Sequence, residues 1–250
     1  MDHRFNFSHK KEKLIVDRIE RKIVFFKYLL KDVQYYISGS FLMNLTFAQK
    51  EKYSDIDLYF PDKDNYFKAV KILNNSEDFA IKFASKYAIT YTSINQVDLQ
   101  LVKTSVSNIY KLANQHDFAN CCLAYEPNRM FYYCTVKAFN AWAHGVLDPN
   151  KTPLLNFNYP PHLFLNQLKL FYSRLKKYTS RYNLILSQNI INTIKKIKKL
   201  HLLHLNFYEE KNYLYDYAGS RVICIISSTL LSDYLSRIID EKSMFKLPVL

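Results

Sequence analysis

The amino-acid sequence predicts an α+β protein, with strands in its N-terminal part and a mainly helical module after it. Three observations carry this. The short apolar runs Ser54–Phe60 and Ile94–Val102 alternate polar and apolar residues, wholly or in part, as half-buried strands do. Longer stretches repeat apolar residues at three- and four-residue intervals, the mark of amphipathic helices. Carboxylates then vanish from Pro149 to Tyr208, which divides the chain into a domain over 1–148 and a basic helical domain over 149–250.

Taken in order, residues 11–32 read as an amphipathic helix whose apolar face is Leu14, Ile15, Ile19, Ile23, Val24, Phe26, Tyr28 and Leu29. The stretch Val33–Ser38 ends at Gly39-Ser40, and Phe41–Leu45 reads as a helix start. The chain has only three glycines, so one placed here marks a point where backbone can approach a ligand closely. Asp55 and Asp57 sit at i and i+2 of one strand and project to one face, while Ile56 and Leu58 turn into the core. Asp98 falls on a second strand, 94–102. Residues 116–125 read as a further strand, and Arg129–His144 as a helix closed by Gly145.

Two carboxylates side by side and a third on a neighbouring strand are the donor set for hard cations. Magnesium takes carboxylate and phosphate oxygens, and two ions clamp the attacking and leaving oxygens of an in-line displacement. Asp98 can ligate metal or take a proton from an attacking hydroxyl. Backbone amides and the Ser40 hydroxyl can receive phosphate oxygens. A lone Asp-x-Asp is often a solvated strand face, and a lone Gly-Ser a loop or helix cap; the ordered set is what points to chemistry.

Gly39-Ser40 after an apolar residue, then Asp55-Ile56-Asp57 between apolar residues, then Asp98 on a later strand resembles the DNA polymerase beta-like nucleotidyltransferase superfamily. The spacer of fourteen residues from Ser40 to Asp55 lies at the long end for that family. The resemblance implies a mixed sheet with helices packed on one side. It also implies an EC 2.7.7-type enzyme that moves a nucleoside monophosphate from a nucleoside triphosphate, with magnesium or manganese held by Asp55, Asp57 and Asp98. Asp117-Phe118-Ala119-Asn120-Cys121 is similar to a segment of nucleotidyltransferase-like proteins from bacteriophages and large DNA viruses, and extends the likeness to about residue 145. By position in the superfamily, Tyr133 and Lys137, with Arg129 nearby, are candidates to hold the triphosphate beside Gly39 and Ser40.

The chain has 35 Lys and Arg against 22 Asp and Glu, a formal net charge of +13. Ten of those cations lie in the carboxylate-free segment. Leu165, Leu168, Tyr172, Leu175 and Tyr182 form an apolar stripe there, with Arg174, Lys177 and Arg181 on another face. A second segment repeats the scheme, with Ile190, Ile194 and Ile197 inside and Lys195, Lys198 and Lys199 outside. Together with Tyr172, Tyr178 and Tyr182 as base-stacking rings, these cations suit nucleic acid. A Lys-rich helix is commonly only a solvated face; an amphipathic basic helix can also lie on an anionic membrane, but the aromatic content of this stripe suits a core rather than lipid. A C-terminal helix over 221–239 closes the module.

The N-terminus lacks the apolar core of a signal peptide, and no apolar run is long enough to span a bilayer. Cys121, Cys122, Cys134 and Cys224 have no zinc-like spacing and read as reduced thiols of a cytoplasmic protein, in host cytoplasm if it is viral. The function expected is nucleotidyl transfer to a hydroxyl, foremost an RNA 3′ end such as that of a transfer RNA. The alternatives are a protein or small-molecule acceptor, or an inactive fold that serves as an RNA-binding or structural protein. Expected partners are RNA and a nucleoside triphosphate, without a membrane; a protein partner stays open.

Overall fold

The computed structural model describes residues 4–48, 55–94, 97–151, 155 and 161–197. They fall into two units, Met1–Lys151 with Tyr182–Ile185, and Thr152–Arg181 with the chain from Leu186.

The first unit is built on a seven-stranded mixed sheet. In chain order the strands are β1 (Tyr36–Ser38), β2 (Asp55–Phe60), β3 (Phe79–Ala84), β4 (Ala88–Ser93), β5 (Asp98–Ser105), β6 (Leu123–Glu126) and β7 (Phe131–Cys134). Across the sheet they run β3-β4-β5-β2-β1-β6-β7. Among the described strands of this sheet only β2 and β5 pair in parallel; the other five ladders are antiparallel. Parallel neighbours need a crossover, supplied here by α3 (Lys63–Asn74) and the β3–β4 hairpin.

Strand alternation is as the sequence predicts. Ile56, Leu58, Leu99 and Leu101 are fully buried, while Asp55, Asp57 and Asp98 stand on the other face, partly accessible. Helix α1 (His9–Lys27) lies on the buried face: Phe25 stacks on Phe79, and Tyr125, on the same face as Ile37 and Leu58, hydrogen-bonds Glu20. Helix α3 lies there too, with the Tyr91 hydroxyl donating to Asn74 Oδ1 at 2.7 Å. Both start at side-chain caps, Ser8 accepting from the Lys11 amide and Asp62 from the Asn65 amide.

The N-terminal helix is shorter and its buried stripe narrower than its sequence suggests. It stops at Lys27 rather than Asp32, and Leu14, Val24 and Tyr28 are exposed, because only Ile15, Val16, Ile19, Ile23 and Phe26 fit the side that meets the sheet. The second strand likewise begins at Asp98 rather than Ile94, since 88–93 form their own strand.

A larger departure concerns 129–144. Instead of one helix, Pro127–Arg129 is a single 3-10 turn, Met130 takes a left-handed conformation at φ 49°, and 131–134 form edge strand β7 before α5 (Val136–Ala143) starts at the Thr135 cap. The Phe-Tyr-Tyr-Cys run prefers a strand, and pairing with β6 overrides the helical spacing. Helix α4 (Ile109–Asn114) covers the carboxylate-bearing face at the β1, β6 and β7 end, where Ile109, Leu112 and Ala113 pack on Tyr36, Ala124 and Tyr133.

In the second unit, α6 (Pro161–Tyr182) buries Leu168, Phe171, Tyr172 and Leu175. Ile190 and Ile197 are also buried, and Ile194 partly so. No helix among the described residues is long and apolar enough to cross a membrane. The expected helix over 221–239, Cys224, and the cations Lys198 and Lys199 lie outside the described residues.

Candidate active site

Two parallel strands bring the acidic set together. Asp55 and Asp98 are direct Cα partners across β2 and β5, and Asp57 lies two residues on, on the same face. Parallel neighbours are about 4.8 Å apart, so two carboxylates share one small patch. Asp57 in turn pairs with Ser38 of β1, which places the end of β1 beside it.

Gly39 follows at once, and its backbone explains why it is glycine. Its φ of 88° and ψ of −157° are open to almost no other residue. A Cβ built at Gly39 would stand 2.5 Å from Asp57 Oδ2. The missing side chain therefore makes room for the carboxylate, and the chain turns directly into α2 (Ser40–Met43), where Ser40 is buried. One π turn over Asn44–Ala48 extends it. Gly39, Ser40, Asp55, Asp57 and Asp98 thus occupy one region at the ends of β1, β2 and β5.

The remaining nucleotide-binding candidates are placed differently. Tyr133 is on β7, and the row Asp57, Ser38, Ala124, Tyr133 puts it three strand spacings from Asp57, about 14 Å. Its ring is buried under α4 and meets Tyr110 edge to face, with centroids 5.0 Å apart. The structure therefore does not bring Tyr133 to the carboxylates, because 131–134 pair as a strand instead of forming a helix. Lys137 is exposed in the first turn of α5, and Arg129 is exposed beside Glu126.

Two residues that the sequence did not single out belong to this region. The Ser38 hydroxyl donates to the Leu123 carbonyl and receives His116 Nε2 at 2.6 Å, so an imidazole sits against the strand that carries Gly39. Lys82, on β3, donates to Asp98 Oδ2 at 2.7 Å. Neither has a sequence signal: the histidine is separated from Ser38 by 78 residues and the lysine from Asp98 by 16.

Among the described residues no three His, Cys, Asp or Glu side chains converge closely enough, as they stand, to hold a metal ion. The donor chemistry nonetheless fits one. All three acids offer hard oxygens, and Asp98 Oδ1 is buried with no hydrogen-bond partner among the described residues.

On the helical unit, Arg174, Lys177 and Lys195 are exposed, and Lys177 lies over the Tyr178 ring at 5.9 Å. Arg181 is partly buried, its Nη1 fully so. Tyr172 is buried against Phe171, which makes it a core ring rather than a stacking platform.

This sheet, with its acidic patch beside a Gly-Ser turn, has the fold of nucleotidyltransferases. It is similar to the Thermotoga maritima CCA-adding enzyme complexed with tRNA, with a TM-score of 0.54 and 18% identity over 77% of this chain and 46% of that one. It is also similar to a CCA-adding enzyme in complex with ATP, at a TM-score of 0.58 and 16% identity over 77% and 46%. A CTP complex of a CCA-adding enzyme gives 0.57 and 16% over 76% and 44%. The chain thus spans less than half the length of these enzymes. Within this class of fold, the protein belongs to the Gabija anti-defense 2 family, which matches residues 6–144, more than half of the chain. No curated protein matches it.

Proposed function

We propose that the protein is a metal-dependent nucleotidyltransferase that moves a nucleoside monophosphate from a nucleoside triphosphate to a hydroxyl and releases pyrophosphate. The observation that carries this is the register: Asp55 directly opposite Asp98 on parallel strands, with Asp57 on the same face beside Gly39. Asp55 and Asp57 would hold magnesium or manganese together with Asp98, and the ions supply charge neutralisation at the phosphates. Asp98 accepts the proton of the acceptor hydroxyl. Gly39 and Ser40 hold the β and γ phosphates through their backbone at the turn into α2.

The favoured acceptor is an RNA 3′ end. The exposed Arg174, Lys177 and Lys195, in a segment with no opposing carboxylate over 149–208, support it through the charge density of RNA. The likeness to CCA-adding enzymes agrees with that acceptor class. A second acceptor class, a protein hydroxyl, is favoured by the family description, since an anti-defense protein can act by modifying a component of the defence it opposes. A viral source, to which the resemblance of segment 117–121 to proteins of bacteriophages and large DNA viruses points, would suit an anti-defense role.

The test incubates the protein with magnesium, α-phosphate-labelled nucleoside triphosphates and total cellular RNA, alongside Asp55→Ala/Asp57→Ala. RNA and protein are resolved separately. Label on RNA that the double variant abolishes is the expected result, and label on protein alone selects the second acceptor. Label on neither overturns the enzymatic reading in favour of an inactive fold.

A further inference from the structure

We propose that Lys82 is a resident counter-ion of the acidic patch: its ammonium occupies the Asp98 carboxylate when no divalent cation is present and must leave before a cation can bind there. This rests on the metal-dependent reading of the patch.

The geometry begins with one row across the sheet. Ala80 on β3 pairs with Thr92 on β4, Thr92 with Asp98 on β5, and Asp98 with Asp55 on β2. Residues directly opposed in a sheet share a face, so this row leads from the exposed edge strand straight to the carboxylates. Lys82 stands two residues beyond Ala80. There the β3–β4 ladder slips, Ile81 pairing with Tyr91 and Phe83 with Thr90, so that Lys82 is the extra residue of a bulge. Bulges re-aim side chains. This one lets the four-carbon stem reach over β4, two strand spacings away, and set Nζ 2.7 Å from Asp98 Oδ2.

The two partners differ sharply in exposure. The Asp98 side chain is 17% exposed and fixed at the start of an interior strand, whereas that of Lys82 is 57% exposed on an edge strand. Asp55, Asp57 and Asp98 gather negative charge on one face, and Lys82 sets a compensating ammonium against Asp98 on a long, exposed arm. A solvent-exposed ammonium on such an arm is held weakly and exchanges readily. Ammonium and divalent metal compete for the same oxygen. Lys82 thus lowers the affinity of the patch for a free divalent ion, and the site fills when a more highly charged cation displaces it.

The experiment is a manganese titration without nucleotide, followed by the electron paramagnetic resonance signal of the free ion. It compares the wild-type chain, Lys82→Met, Lys82→Arg, Lys86→Met and Asp55→Ala/Asp57→Ala. Lys86 lies just beyond the same strand and is exposed, so its replacement removes the same net charge without touching Asp98. The expected result is that Lys82→Met binds manganese about three- to tenfold more tightly, that Lys82→Arg and Lys86→Met stay near wild type, and that the double aspartate variant loses binding. Equal or weaker binding by Lys82→Met overturns the inference, as does equal tightening by Lys86→Met, which would mean only a general field. If wild type binds no better than the double aspartate variant, the metal-dependent reading falls and the inference with it, a result distinct from the other two.

Discussion

The carboxylate of Asp57 occupies the space a side chain at Gly39 would need: a Cβ there would lie 2.5 Å from Asp57 Oδ2. Backbone and carboxylate are matched at this point: strand pairing sets Ser38 opposite Asp57, and the next residue turns at φ 88° into α2. Only glycine meets both conditions at little cost.

Replacing Gly39 by Ala therefore adds a backbone strain of about 1–3 kcal/mol and pushes Asp57 out of place. Chemical denaturation is expected to show the stability loss. Manganese binding is expected to weaken in the fraction that remains folded, and unchanged binding would mean that Asp57 is not a ligand.

Asp55→Asn and Asp57→Asn keep side-chain volume but remove the charge that would hold cations. Loss of several kcal/mol of transition-state stabilisation corresponds to a fall in turnover of about 100-fold or more. Thermal unfolding is expected to change little, because both side chains are partly accessible while Ile56 and Leu58 carry the packing. A variant that melts early would point to a structural role instead.

Neutralising the exposed cations Arg174, Lys177 and Lys195 to Gln is expected to weaken RNA binding at low salt. For single-stranded RNA, each lost phosphate contact lowers the slope of log affinity against log salt by about 0.7, so three together lower it by about 2. Filter binding across a salt series measures this. An unaltered slope would make the basic helices a solvated face.

Burial pushes the Cys134 thiol up to about 12 from an ordinary value of 9.0. Desolvation also raises the hydroxyls of Tyr125 and Tyr132, and the Tyr125 hydroxyl, which donates a hydrogen bond to Glu20, is held further in its protonated form by that contact. A group raised in the folded state contributes stability that is complete below its unfolded value and lost as pH climbs toward the folded one. Cys134 alone thus costs about 1.4 kcal/mol per pH unit between 9 and 12. Denaturant titrations between pH 8 and 11 are expected to show falling stability. Cys121, Cys122 and Cys134, all buried, are expected to resist alkylation in the native protein and react on unfolding.

Much of the site is readable along the chain because its logic is local. Period-two alternation puts Asp55 and Asp57 on one face and Ile56 and Leu58 on the other, and a rare glycine announces a close approach. The failure at 131–134 is instructive. Tyr133 has helical spacing to its neighbours, but pairing with Leu123–Glu126 makes it a strand residue whose ring belongs to the core under α4.

By itself, the sequence determined which residue types stand on each face of each strand, since side-chain alternation is a property of a strand whatever it pairs with. Only the tertiary structure decided what meets what. Strand order put Asp98 beside Asp55 across a parallel pair, a slipped ladder carried Lys82 over β4 to Asp98, and the β1–β6 pairing brought His116 to Ser38. These contacts depend on how distant segments share one sheet, and no periodicity within a segment encodes the neighbour that another segment supplies.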